Sequence, residues 1–257
     1  MKMTRTNMVL AALLAGTVGV PADMFKPSIK DQISLGQKAS KQIKKEEKVL
    51  PDDDKRVQEV RRIANKVIAT IPEAERKKKP FEYSFDVIES KDLNAFALPG
   101  GPMFFYSGLL DQLKSEDEIA GIIAHEVTHV KNEHWASAYA DNQKRQLGIT
   151  AILMIFNANE NAFRVASVSD ALLFSLPYSR KHESEADRVG YDLALSSGYT
   201  PQGMINVFTL LKKSSGGGRS TEWMSDHPAL DNRIKAIKDR LAKEKRTVPP
   251  ETLRKTG

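Results

Sequence analysis

The chain has 257 residues, 40% hydrophobic and 28% charged, with a formal charge of +6 and no cysteine. Such a length and hydrophobic content can bury the core of one large domain, and the missing cysteine excludes disulfide scaffolds, thiolate zinc sites and cysteine nucleophiles. The positive excess is scattered through stretches such as KQIKKEEK and ERKKKP, where both signs mix; it reads as solvated helix faces and predicts no nucleic-acid partner, which would want a basic stripe with interleaved aromatics.

The chain opens MKMTRTNMVLAALLAGTVGVPA. Lys2 and Arg5 precede a mostly apolar run from Met8 to Val20, and small residues surround Ala22. This reads as a secretory signal peptide, residues 1–22, cleaved after Ala22, with a bacterial periplasm as the destination. The run is too short to span a bilayer, and a lipid anchor would need a cysteine at the cleavage point.

SLGQKASKQIKKEEKVL (Ser34 to Leu50) carries Leu35, Ala39 and Ile43 at helical spacing and is expected to be a surface helix. In PDDDKRVQEVRRIANKVIATI, Pro51 and the aspartates supply a start, and Val57, Val60, Ile63, Ala64, Val67 and Ile71 form an apolar stripe. Pro72 to Pro80 reads as a charged loop. FEYSFDVIES alternates as a strand should, and NAFALPGGPMFFYSGLL holds two strand-like runs around the turn Pro99-Gly100-Gly101. Together they predict a small antiparallel sheet.

Ser115 to Glu118 reads as a capping box opening an amphipathic helix whose Ile119, Ile123, Val127 and Val130 face the core. LGITAILMIF (Leu147 to Phe156) is apolar all round and reads as a buried helix. SEADRVGYDLALSSG is helical up to Gly198, TPQGMINVFTLLKK restarts with Thr200 as cap and Pro201 in first position, SSGGGRS is a loop, and HPALDNRIKAIKDRL is the last helix. The fold class is α+β, mainly helical, with the small sheet beside the helix that holds IIAHEVTHVKNEHW.

That helix carries the chemistry. His125 and His129 lie about 40° apart around a helix and one turn apart along it, so both can reach one ion. Glu126 stands on the flank, placed to act as general base on a metal-bound water. This is H-E-x-x-H, the helical zinc motif. A catalytic zinc takes three protein ligands and keeps a fourth position for water. With five histidines in all and no cysteine, the third ligand is expected to be a carboxylate. In YSRKHESEADRVG, Glu183 and Asp187 share a helix face. Glu183 is the expected ligand. Asp187, one turn along, would accept from the ring N–H of a zinc histidine. Glu185 should point away. His182 is the weaker rival, because choosing it leaves Asp187 without a matching role.

H-E-x-x-H followed some fifty residues later by E-x-E-A-D resembles the gluzincin metallopeptidases that include HtpX, Oma and the CAAX prenyl proteases. NAFALPGGPMFFYSGLL, SRKHESEADRVG and the late His-Pro pair match as well, and SLGQKASKQI resembles their exported bacterial branch. The likeness runs from Leu35 to about Leu241. The chain lacks the lipobox cysteine common in that branch and the transmembrane helices of HtpX and the prenyl proteases.

The resemblance implies one domain, residues 23–257: a helical region 23–72, a catalytic core 73–243 and a basic tail 244–257. It implies a zinc endopeptidase with one Zn2+ ion, acting in envelope quality control on unfolded or unassembled proteins or peptides, with peripheral membrane contact left open. The alternative is a zinc-holding, chaperone-like protein that seldom cleaves. By the same resemblance, Asn94, Ala95, Phe96 and Ala97 form the strand at the lip of the cleft, where substrate backbone could pair; an ordinary edge strand would look the same. His227, held extended by Pro228, has three open roles: a contact to the reaction's oxyanion, a ligand that restrains the enzyme without substrate, or a helix-capping surface residue.

Overall fold

The computed structural model describes residues 26–144, 178–215, 223, 227 and 229–254; the expected signal segment, the apolar stretch Leu147 to Phe156 and the glycine loop at 216–218 lie outside the described residues. Helix α1 (Ile29–Glu46) starts earlier than its apolar pattern suggests, because Ser28 and Asp31 form a reciprocal capping box. Its stripe of Leu35, Ala39 and Ile43 is buried. Helix α2 (Lys55–Ala69) is capped by Asp54, whose carboxylate accepts from the Arg56 amide at 2.8 Å. The charged stretch expected as a loop contains a short helix, α3 (Glu73–Lys78). Pro72 precedes it, Glu73 and Glu75 sit in its first turn and Arg76, Lys77 and Lys78 in its last, all of which complement the helix dipole.

Strands β1 (Ser84–Ile88), β2 (Ala95–Ala97) and β3 (Pro102–Tyr106) form a sheet in the order β1–β3–β2. The expected antiparallel sheet is mixed: β2 and β3 make an antiparallel hairpin, while β1 and β3 run parallel. The chain leaves β1, passes to the far edge for β2, and returns up the middle as β3, so the two strands of like direction become neighbours. Gly100 (φ 82°) and Gly101 (φ 129°) make the hairpin turn, at angles that side-chain-bearing residues rarely adopt. Phe85 to Ile88 are all buried, without a solvent face. Phe85, Val87, Met103 and Phe105 join the core formed with α2, whereas Ile88, Phe96 and Phe104 pack with Leu35, Ala39 and Ile43 of α1. The sheet is thus the middle layer.

A short helix, α4 (Ser107–Leu110), leads to α5 (Glu116–Lys131), followed by α6 (His134–Lys144), α7 (Arg180–Ser196), α8 (Gln202–Ser215) and α9 (Leu230–Ala242). The capping box of α5 is present: the Glu118 amide donates to Ser115 Oγ at 3.3 Å and the Ser115 amide to Glu118 Oε2 at 3.1 Å. The helix is not amphipathic. Every residue from Asp117 to Val130 is buried, since α7, α8, α2 and β2 all pack against it. A helix enclosed in this way must give each polar side chain a partner or a ligand.

Two features bring the neighbours of α5 into place. A Cβ on Gly190 would lie 3.1 Å from the Ala124 carbonyl, so glycine there lets α7 approach the backbone of α5 beside the paired histidines. Glu183, Asp187 and Gly190 fall at helical spacing on that face. The residues read as a basic tail return to the start of α5: the Thr252 amide donates to Asp117 Oδ2 at 2.6 Å, and the Glu116 amide donates to the Thr252 carbonyl at 2.8 Å. Among the described residues, no helix is long and apolar enough to cross a membrane.

Candidate metal centre

His125, His129, Glu183 and His227 are all buried, and each offers a ligand atom within 4.8 Å of the others'. His125 Nε2 lies 3.0 Å from His129 Nε2 and 3.3 Å from His227 Nδ1. Glu183 Oε1 is 3.4 Å from His129 Nε2 and 3.1 Å from His227 Nδ1, and its Oε2 is 3.6 Å from His125 Nε2. Tetrahedral zinc with bonds of about 2.0–2.1 Å separates its ligand atoms by about 3.3–3.4 Å. These five separations, 3.0 to 3.6 Å, bracket that edge, and the whole set lies within 4.8 Å.

Charge agrees with spacing. Glu126, Glu183 and Asp187 are buried here, and Arg233 is the buried guanidinium beside them. Three carboxylates gather around one guanidinium, an acidic setting that suits a metal cation, because uncompensated buried charge is costly. The donor set, with two histidines one helical turn apart and a carboxylate from a second helix, fits zinc.

The surrounding shell is ordered. Asp187 Oδ1 lies 3.1 Å from His125 Nδ1, so Asp187 can accept the ring proton and leave Nε2 free for a metal. Burial works against ionised Asp187, but hydrogen bonds from Arg233 and His125 outweigh it and hold its pKa below the ordinary value. Glu183 shows the same balance: burial opposes its charge, and His227 and Arg233 more than offset this. Burial raises the pKa of Glu126, with His227 and His125 partly offsetting it. Among the described residues, none hydrogen-bonds the buried Glu126 Oε1.

The histidines divide by environment. Burial, then His125, pushes His129 well below the usual imidazole range. Burial also disfavours charge on His227, yet the Glu183 carboxylate overrides it and raises the pKa. His227 is 2% exposed, which removes the reading of a surface helix cap. Its Nδ1 joins the cluster while its Nε2 faces Glu126 Oε1 at 3.6 Å.

Glu185 turns aside, as its angular position predicts, and accepts from Asn132 Nδ2 at 2.8 Å. His182 is outside the cluster; its ring stacks on that of His134 at 4.7 Å. Of the strand expected at Asn94 to Ala97, Ala95–Ala97 form β2 at the sheet edge. The Leu98 amide donates to Pro102 and the Tyr106 amide to Asn94. Asn94 and Phe96 therefore direct their main-chain groups toward β3, and Ala95 and Ala97 direct theirs outward. A small cleft beside the strand is lined by Ala97, Leu98, His129, Trp135 and Tyr178.

Two residues escape motif reading. Arg233 sits between Leu230 and Ile237 on the buried stripe of α9, and an arginine in an apolar stripe was the available signal. It donates to Asp187 through Nε and Nη2, each at 2.7 Å, and places Nη1 2.5 Å from Glu183 Oε2. Its guanidinium lies over the Phe208 ring at 4.6 Å. The other is His134, whose Nδ1 lies 3.0 Å from His129 Nδ1.

Comparison with known proteins gives a match of residues 54–241 to the family described as peptidase family M48. The chain is 33% identical over 193 residues to the mitochondrial metalloendopeptidase OMA1 of Arabidopsis thaliana, covering 75% of this chain and 37% of that one. It is 31% identical over 163 residues to the metalloprotease LoiP of Escherichia coli strain K12, covering 62% and 63%. It is 28% identical over 192 residues to the beta-barrel assembly-enhancing protease of Yersinia pestis, covering 71% and 38%. The chain spans less than two thirds of the length of each of these relatives.

Proposed function

The chain belongs to peptidase family M48, and on that premise we propose that it is a zinc-dependent endopeptidase that hydrolyses peptide bonds in cell-envelope protein quality control. The observation that carries this reading is Glu126, a carboxylate buried beside four candidate metal ligands with one oxygen that no described residue hydrogen-bonds. His125, His129 and Glu183 would hold the zinc. When bound, zinc supplies an electrophile that polarises the scissile carbonyl and acidifies water.

The chain's own groups do the rest. Glu126 takes the proton of the attacking water and delivers it to the departing amine. Asp187 holds the tautomer of His125. The outward main-chain groups of Ala95 and Ala97 pair with an extended substrate, as an added strand does on a sheet edge. His227 would be a fourth donor to the ion in the absence of substrate, and its other nitrogen faces Glu126. Turnover requires the imidazole to leave, and from a nearby position it can donate to the oxyanion.

The setting rests on sequence and on a relative. Lys2, Arg5 and the apolar run before Ala22 support export to a periplasm by a cleavable signal, and one relative is named for β-barrel assembly. Unfolded or unassembled envelope proteins are the proposed substrates. The test is metal content of the purified chain, paired with casein hydrolysis before and after chelation. Glu126→Gln should keep zinc and fold and lose turnover; near-native hydrolysis by that variant would sink the mechanism.

A further inference from the structure

Helix α5 ends at Lys131. Were it to continue, a residue five positions past His129 would lie about 140° around the axis and could not face it. The chain instead breaks at Glu133, whose φ of 56° is left-handed. That conformation is unfavourable for a residue with a side chain, and three partners hold it: Lys79 Nζ at 2.8 Å, Gln32 Nε2 at 3.1 Å and Lys26 Nζ at 3.5 Å from its carboxylate. The break starts α6 at His134 and swings that ring back toward α5. His134 is 2% exposed and meets the His129 ring edge-on, with centroids 4.8 Å apart.

The tautomers then follow. His129 turns Nε2 into the ligand cluster, so as a neutral ligand it carries its proton on Nδ1. That N–H points at His134 Nδ1, 3.0 Å away, which must therefore accept. The proton of His134 is left on Nε2, which faces Glu185 Oε2 at 3.6 Å. This is longer than a hydrogen bond, and the contact is one of charge and dipole. Asn132 fixes the other Glu185 oxygen at 2.8 Å.

The geometry points to His134 as a positioning residue that sets the tautomer and ring plane of the metal ligand His129, with Glu185 supporting it from behind. The two ligand histidines of α5 are thus oriented by one segment of α7: His125 directly by Asp187, His129 through His134 by Glu185. This inference rests on the reading of His129 as a zinc ligand.

Nitrogen-15 NMR of the histidine rings in the zinc-loaded full chain tests it without substitution. The expected result is His129 protonated on Nδ1 and His134 on Nε2; a proton on Nδ1 of His134 overturns the inference. The second test is zinc affinity by chelator competition. His134→Leu removes the acceptor at similar volume, and affinity should fall about 10–100-fold, as losses of such outer partners do. His134→Asn keeps an acceptor oxygen near the Nδ1 position and should restore most of it. Equal affinity in native and His134→Leu chains, or an equal loss in both variants, overturns the role of His134 alone. Failure of the native chain to bind zinc overturns the metal-site reading and this inference with it.

Discussion

Arg233 grips Asp187 with both arms of its guanidinium, Nε to Oδ2 and Nη2 to Oδ1, each at 2.7 Å. The same side chain reaches Glu183, so one cation from α9 restrains two carboxylates of α7. All three groups are buried, and removing one partner strands the others without water. Arg233→Met should destabilise the metal-free protein by about 3–5 kcal/mol, read from urea unfolding at neutral pH. Arg233→Lys should fall between the two, since an ammonium keeps the charge but not the fork. A lysine variant as stable as the native chain would show that charge alone matters there.

The carboxylates of α7 should separate by their angle around the helix. Glu183→Ala removes a ligand and should abolish tight zinc binding. Asp187→Asn should weaken binding about 10–100-fold, because the amide no longer accepts from His125 in the same way. Glu185 faces Asn132 and His134 instead of the cluster, and Glu185→Ala should cost less than either. Chelator competition on the three purified variants gives the order directly. A larger loss for Glu185→Ala than for Glu183→Ala would mean that the ligand is wrongly assigned.

Much of this candidate site was legible because its residues follow one helical rule. His125 and His129 repeat at one turn, as do Glu183 and Asp187, and a helix converts such spacing into a shared face. The capping box at Ser115 fixed the start of α5 for the same local reason. The mixed sheet was not legible, since its strand order depends on a crossover and not on any alternation within a strand. Nor was the full burial of α5, which is packed by α2, α6, α7, α8 and β2 and has no solvent face to leave a polar stripe. Arg233 and His134 act through contacts that no helical repeat announces, one across the α7–α9 contact and the other after a left-handed break.

His227 should act as a restraint. It occupies the cluster through Nδ1 and faces Glu126 through Nε2, so both the open ligand position and the base are engaged by one ring. His227→Ala should raise basal casein hydrolysis if release of that ring limits turnover, and zinc should remain bound by the other three ligands. A fall of about 100–1000-fold with zinc retained would assign His227 to the oxyanion instead, since that is the usual effect of deleting such a donor. Unchanged activity together with unchanged zinc affinity would deny it both roles.

Acid stability should depend on Glu116, the first residue of α5. Arg62 donates to its two oxygens at 3.0 and 2.7 Å, and Tyr199 Oη donates to Oε2 at 3.3 Å. The Arg62 hydrogen bond is the main reason that the Glu116 pKa lies below the ordinary value of 4.5, against an opposing effect of burial. The helix N-terminus favours the same anion. A carboxyl depressed in the folded state adds stability at pH values above its unfolded pKa, and that stability is lost as pH falls through the folded value. Arg62 is half exposed, so solvent screens the pair and its contribution should be about 0.5–1 kcal/mol. Glu116→Gln should therefore lower the urea midpoint at pH 7, and the gap from the native chain should narrow as pH drops below 4.5. A gap that stays constant from pH 7 through the acid range would show that the lost contact is steric and not ionic.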